Sequence, residues 1–367
     1  MSKQFYMPTK VIAGDGCIGE SGNLLSAMGR KALIVTGAHS AKANGSLEDV
    51  VNVLKSNGQD YAVFDKVMAN PTIACAYEGA AFARESGADF VIAIGGGSPM
   101  DAAKAIALLA GQNIAEEELF SGSYTDKVLP MAFVPTTAGT GSEVTQYSIL
   151  TNHKAETKTS IASPVLFPRI AFLDARYMEG LSHTTTVNTA IDALSHSVEG
   201  MLSKRAGTIS DSLAMESIGL IAGCFEALAE GSLTCKQREN LLYASTLGGM
   251  VIANTGTTAV HSMGYSLTYF RNIDHGRANG LLLGAFLSFV EKKAPERVYA
   301  ILSSMKLSSV KEFKKVLDAL LGEKETLTQD EINKYSAMAM KTKNISNCTA
   351  VPELEDILAA FKASFGV

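Results

Sequence analysis

The chain has 367 residues, 47% of them hydrophobic and 19% charged, with a formal charge of -5. That apolar content builds a packed core in two or three domain-sized units and excludes a disordered or fibrous chain. The absence of a basic excess argues against a nucleic-acid partner, and five scattered cysteines without a CxxC pair argue against a disulfide scaffold.

No apolar run reaches the ~20 residues that cross a bilayer, and the first residues show no signal-peptide pattern. The expectation is a cytoplasmic protein with no membrane association. In chain order, Lys31–Thr36 reads as a buried strand ending at Gly37. A helix follows over 46–54, with Ser46 and Asp49 as parts of its N-terminal cap. Tyr61–Asp65 is the next strand and 72–86 the next helix. Asp89–Ile94 is a strand that runs into Gly95-Gly96-Gly97-Ser98, and a helix covers about 100–110. Met131–Pro135 is a further strand. This alternation predicts a parallel sheet with helices on both faces.

After residue 180 the pattern changes to Ala- and Leu-rich helices, over 187–202, 210–229, 237–253, 281–294, 307–321, 328–342 and 351–365. The predicted fold is a Rossmann-like parallel-sheet α/β domain at 1–180, followed by an all-helical domain at 181–367. No low-complexity linker separates them, so a cleft between two packed domains is expected.

Three glycine-bearing junctions follow strands. In the first, Gly96 and Gly97 let the backbone close on a ligand, and Ser98-Pro99 suits a helix start as N-cap and N1. Exposed N–H groups at a helix start attract anions, and a diphosphate is the obvious guest. A plain strand-to-helix turn is the alternative. The arrangement is neither G-x-G-x-x-G nor a Walker A loop. The second junction, Pro135-Thr136-Thr137-Ala138-Gly139-Thr140-Gly141-Ser142-Glu143, offers hydroxyls to phosphate, ribose or amide, or to turns and caps. The third, Gly37 to Lys42, contains no carboxylate to hydrogen-bond an unmodified ribose. Gly37, Ser40 and Lys42 instead accommodate a 2′-phosphate, which predicts NADP(H) over NAD(H).

Only six histidines occur. Asp192 and His196 stand at i,i+4 on one helical face. His261 lies in an apolar helical context, and His275 in a turn before another helix. One carboxylate and three imidazoles suit a divalent metal such as iron, zinc, cobalt or manganese. A simple Asp–His hydrogen bond and satisfied core histidines are the alternative.

These motifs together resemble those of the iron-containing (group III) alcohol dehydrogenase family over roughly residues 5–366. The resemblance is carried by Gly95-Gly96-Gly97-Ser98 with Asp101 and Lys104, by Pro135 to Glu143, by Asp192 to Gly200, and by His261 and His275-Gly276. It implies a dehydroquinate synthase-like fold with the active site in the cleft and a helical metal-binding catalytic domain. It implies that Asp192, His196, His261 and His275 ligate Fe²⁺, with zinc as the alternative. Gly96, Gly97 and Ser98 would hold the pyrophosphate of the cofactor, with Asp101 among the cofactor-binding residues. Thr136, Thr137 and Thr140 would line its adenosine and ribose region, and Lys158 would approach the ribose and nicotinamide.

The implied substrate is a small alcohol or diol and its aldehyde, and the implied assembly a homodimer. Many relatives carry a histidine where this chain has Tyr265, which is therefore either a proton relay or a pocket residue. A glycerol or polyol dehydrogenase of the same wider group, dehydroquinate-synthase-like chemistry and a non-catalytic metal- and nucleotide-binding protein are the rival readings.

Overall fold

A computed structural model describes residues 3–366 of the chain. They fall into two units. One comprises Met7–Thr137 and Gly141–Leu181. The other comprises Ser182 onward, Ala138–Thr140 and the N-terminal stretch through Tyr6.

The first unit is built on a parallel sheet. Its strands are β1 (Lys10–Ala13), β2 (Lys31–Thr36), β3 (Asp60–Phe64), β4 (Phe90–Gly95) and β5 (Met131–Pro135). An antiparallel hairpin of β6 (Tyr147–Asn152) and β7 (Thr157–Ala162) follows, and then β8 (Ile170–Leu173). The sheet order is β1-β8-β5-β4-β2-β3. Residues alternate between faces. Ile34, Ile92, Ile94, Val134 and Phe172 pack with Val50 and Leu54 of the Ser46–Ser56 helix. Leu33, Val35, Val91, Ala93 and Phe133 pack with Ala102, Ala103, Ile106 and Ala107 of the Gly97–Gly111 helix. Apolar side chains are therefore needed on both faces of β2, β4 and β5, which explains their unbroken apolar runs.

Several local expectations are corrected. Ser46 opens its helix rather than capping it, because its hydroxyl bonds Asn44 Oδ1 at 2.6 Å; Asp49 accepts from the Tyr177 hydroxyl at 2.7 Å. The helix after β4 begins at Gly97 with Gly96 as its N-cap, so Ser98 lies in its first turn. The predicted 210–229 helix is two, Thr208–Ala222 and Phe225–Glu230, interrupted at Gly223-Cys224. β1, β8 and the hairpin were not anticipated.

The second unit is helical. Its central helix, His183–Met201, is buried almost continuously from Thr186 onward. Cys235–Thr255, Ala259–Arg271 and His275–Glu291 are three of the long helices that follow. Thr234 and Gln237 close a reciprocal capping box at the start of the first of these. Among the described residues no helix is long and apolar enough to cross a membrane.

Candidate functional site

The helical unit gathers a carboxylate and two histidines from three helices. Asp192 comes from the middle of His183–Met201, His261 from the first turn of Ala259–Arg271, and His275 opens His275–Glu291. One ligand atom from each lies within 4.8 Å of the others. Asp192 Oδ1 is 4.0 Å from His261 Nε2 and 3.9 Å from His275 Nε2. His196 Nε2 also lies 4.0 Å from that oxygen, and its ring stacks on His261 at 4.8 Å between centroids. His196 stands beside the compact trio rather than within it. Its Nδ1 faces the Gly139 carbonyl at 3.2 Å.

The start of the third helix is set by close packing. A Cβ on Gly276 would lie 1.9 Å from the Asn188 carbonyl oxygen, so only glycine fits there. Asn188 Nδ2 also donates to Asp274 Oδ2 at 2.8 Å, next to His275. Tyr265 is half-buried and stacks on His275 with centroids 5.9 Å apart and an interplanar angle of 10°.

Burial pushes the Asp192 carboxyl up, but the surrounding histidines, led by His196, and the Asn279 amide outweigh it and hold it below its ordinary value. Burial pulls the His196 imidazole down, against the pull of Asp192. A divalent cation requires an ionised carboxylate and neutral imidazoles, and the shifts of Asp192 and His196 both run toward that donor state. Oxygen and nitrogen donors at this spacing suit iron or zinc. The site also leaves Asn279 Oδ1 buried without a hydrogen-bond partner among the described residues. Asp192, His261 and His275 therefore form a site that fits a metal ion.

Two residues in this cluster escaped the sequence reading. Asn279 Nδ2 lies 3.0 Å from Asp192 Oδ1 and 3.2 Å from His261 Nε2. Its signal was the i,i+4 spacing from His275. Glu199 is fully buried and meets His261 Nδ1 through Oε2. Its signal was a carboxylate three residues after His196, on the same helical face.

In the sheet unit, parallel strands deliver several junctions to one edge. Thr36 pairs with Ile94, and Gly95 with Pro135. Gly37, Gly96 and Thr136-Thr137 consequently follow adjacent strands at their carboxyl ends, where ligands bind in open parallel sheets. Thr136 N donates to Gly95 O at 2.9 Å. A Cβ on Gly96 would lie 2.8 Å from Thr137 Oγ1, so a side chain there would have to displace Thr137. This cradle opens the Gly97–Gly111 helix and suits a diphosphate. Ser98 Oγ accepts from Asn70 N at 3.2 Å.

Ser40 and Lys42 lie in the short Ser40–Ala43 helix, where Lys42 Nζ pairs with Asp65 Oδ2 at 2.7 Å. Asp101 is hydrogen-bonded to the segments that follow the second junction. Its Oδ1 accepts from Ser142 Oγ at 2.7 Å and its Oδ2 from Ile149 N at 3.2 Å. Lys158 lies in β7, half-buried, and Thr140 is grouped with the helical unit.

Comparison with known proteins accounts for both halves of this arrangement. Residues 8–175 match the iron-containing alcohol dehydrogenase family, and residues 186–365 match its C-terminal region. The chain is 35% identical over 274 residues to a lactaldehyde reductase of Escherichia coli K12, spanning 74% of this chain and 71% of that protein. It is 30% identical over 312 residues to an NADPH-dependent butanol dehydrogenase of Clostridium saccharobutylicum, spanning 83% and 78%. An iron-containing alcohol dehydrogenase from Thermotoga maritima superposes over the whole of both chains with a TM-score of 0.93 and 37% identity. These matches, which together cover nearly the whole chain, make it a member of the iron-containing alcohol dehydrogenase family.

Proposed function

We propose that the protein interconverts a small primary alcohol or diol and its aldehyde, using NADP(H) in preference to NAD(H), with Fe²⁺ held by Asp192, His196, His261 and His275. The observation that carries the reading is the convergence of Asp192, His261 and His275 ligand atoms within 4.8 Å. A bound divalent ion supplies Lewis-acid polarisation of the substrate oxygen, and the nicotinamide supplies or accepts the hydride.

The chain's own residues do the rest. Asp192 contributes the negative charge of the site, and the neutral imidazoles contribute lone pairs. His196 is the fourth ligand in this reading, oriented by the Gly139 carbonyl at its other nitrogen. Tyr265 stands against His275 and either relays a proton or shapes the substrate pocket. The Gly96–Ser98 turn holds the pyrophosphate through backbone N–H groups, with Thr136 and Thr137 beside it. Asp101 supports that site by anchoring the segments at Ser142 and Ile149, after Thr137.

The preference for NADP(H) is supported by the 37–42 segment, which carries Gly37, Ser40 and Lys42 and no carboxylate. The reading extends to a homodimer in the cytoplasm. The deciding experiment is an anaerobic assay on protein of measured iron and zinc content. Short aldehydes and diols are run with NADH and NADPH in parallel. Turnover that scales with metal content and favours NADPH is expected. Equal turnover in metal-free protein rejects the metal-dependent mechanism, and a large NADH preference rejects the cofactor assignment.

A further inference from the structure

We propose that Glu199 is a positioning residue for the metal centre, fixing His261 in the tautomer whose lone pair lies on Nε2, the nitrogen that would bind the ion. This deepens the metal-dependent reading above and rests on it.

Glu199 has no exposed surface, and burying a carboxylate without partners is costly. Its two oxygens are divided between two tasks. Oε1 accepts from Thr258 N at 2.8 Å, Thr258 Oγ1 at 2.7 Å, Val260 N at 3.1 Å and His261 N at 3.4 Å. These are groups at the start of the Ala259–Arg271 helix, whose first N–H groups have no partners within the helix. Oε2 is left facing His261 Nδ1.

An ionised carboxylate can only accept hydrogen bonds. With Oε1 occupied by N–H and O–H donors, Oε2 is the acceptor that faces His261 Nδ1, so the ring proton sits on Nδ1 and the lone pair on Nε2. That nitrogen is the one 4.0 Å from Asp192 Oδ1 and inside the cluster with His275. The same carboxylate therefore holds the helix that delivers His261 and sets which ring nitrogen can bind. His196 has only a backbone carbonyl at Nδ1, so Glu199 gives His261 the stronger acceptor partner. Glu199 lies on the helix of Asp192 and His196, which ties three parts of the centre to one rigid element.

The substitution that isolates this role is Glu199→Gln. The amide keeps the shape, but an NH₂ directed at His261 Nδ1 makes that nitrogen an acceptor and places the proton on Nε2. Metal-free protein is titrated with Zn²⁺ against a chromophoric chelator, and the thermal midpoint of the metal-free protein is recorded alongside. Zinc affinity should fall about 10–100-fold, the range seen when partners of metal-binding histidines are changed. A purely structural role would shift the thermal midpoint and leave zinc affinity within threefold of wild type, which overturns the proposal.

Should the variant not fold, ¹⁵N spectra of histidine-labelled, metal-free wild-type protein decide the matter, with His261 assigned by its loss in His261→Gln. A proton on Nδ1 and a bare Nε2 support the proposal, and a proton on Nε2 refutes it. Wild-type protein that takes up no zinc overturns the metal reading itself and this inference with it.

Discussion

Gly276 gives the Asn188 carbonyl the space that any side chain would fill, with a Cβ at that position only 1.9 Å from the oxygen. The contact lets the His275–Glu291 helix begin against the helix that carries Asp192. Gly276→Ala should push these two helices apart. Overpacking of this kind costs about 1–3 kcal/mol, measurable by urea denaturation of the metal-free protein. Zinc affinity should fall as well, because His275 moves with its helix. Unchanged stability and zinc affinity would show that the helix start adjusts freely.

Gly96 tests the other unit. A Cβ there would lie 2.8 Å from Thr137 Oγ1 and 3.2 Å from its Cγ2. Gly96→Ala should widen the cradle and raise the KM for the dinucleotide about tenfold, equivalent to about 1.4 kcal/mol. Zinc affinity should not change, since no metal ligand lies near this loop in the chain. A KM equal to wild type would remove the Gly95–Ser98 turn from the cofactor site.

Lys104 links stability to pH. It is fully buried and donates to Ser142 Oγ at 2.7 Å, Thr145 Oγ1 at 3.0 Å and the Tyr147 carbonyl at 2.8 Å. Burial pulls its ammonium down from 10.5 to about 8, against the opposing pull of Asp101 and Glu143. The folded pKa is below the unfolded one, so between these values the unfolded chain binds more protons. The penalty for holding the charged amine is full below pH 8 and is relieved as pH rises toward 10.5. The stability of wild type relative to Lys104→Met should therefore increase between pH 7.5 and 10, on the order of 2–3 kcal/mol. Urea denaturation across that window reads the difference. A flat difference means that the amine keeps its proton throughout.

Lys42 offers a test of cofactor choice. Its Nζ is 2.7 Å from Asp65 Oδ2 on an exposed surface. Asp65→Asn releases the amine to a 2′-phosphate. Exposed pairs of this kind are worth about 0.2–1 kcal/mol, so the KM for NADPH should fall up to about fivefold. The KM for NADH should stay the same. Equal changes for both cofactors would separate Lys42 from the phosphate.

The sequence was legible where burial is two-sided. Leu33 to Val35, Val91 to Ile94 and Ala132 to Val134 are apolar at every position because helices cover both faces of the sheet. β1 and β8 have only four residues each, too few to set a period, and β7 is the largely polar Thr-Lys-Thr-Ser-Ile-Ala. Asp192 and His196 were visible because one helix turn brings them together. Glu199 was visible only as another carboxylate, since its partner His261 is 62 residues away. Asp101 shows the opposite case: its place after the glycines pointed to the cofactor, while its oxygens are taken by Ser142 and Ile149. Motif spacing shows which residues travel together, but not which way each side chain turns.

The grouping of Ala138–Thr140 with the helices constrains how this protein can be cut or recombined. Both flanking segments belong to the sheet unit, so the chain changes unit at 137/138 and again at 140/141, well before 181/182. Gly139 has no spare room, since a Cβ there would lie 2.9 Å from Thr189 Cβ, and its carbonyl serves His196. A fragment starting at Ser182 would lose that carbonyl, and a chimaera joined at residue 181 would inherit it from the wrong parent. The halves are not interchangeable modules: three residues in the middle of one are an heirloom of the other.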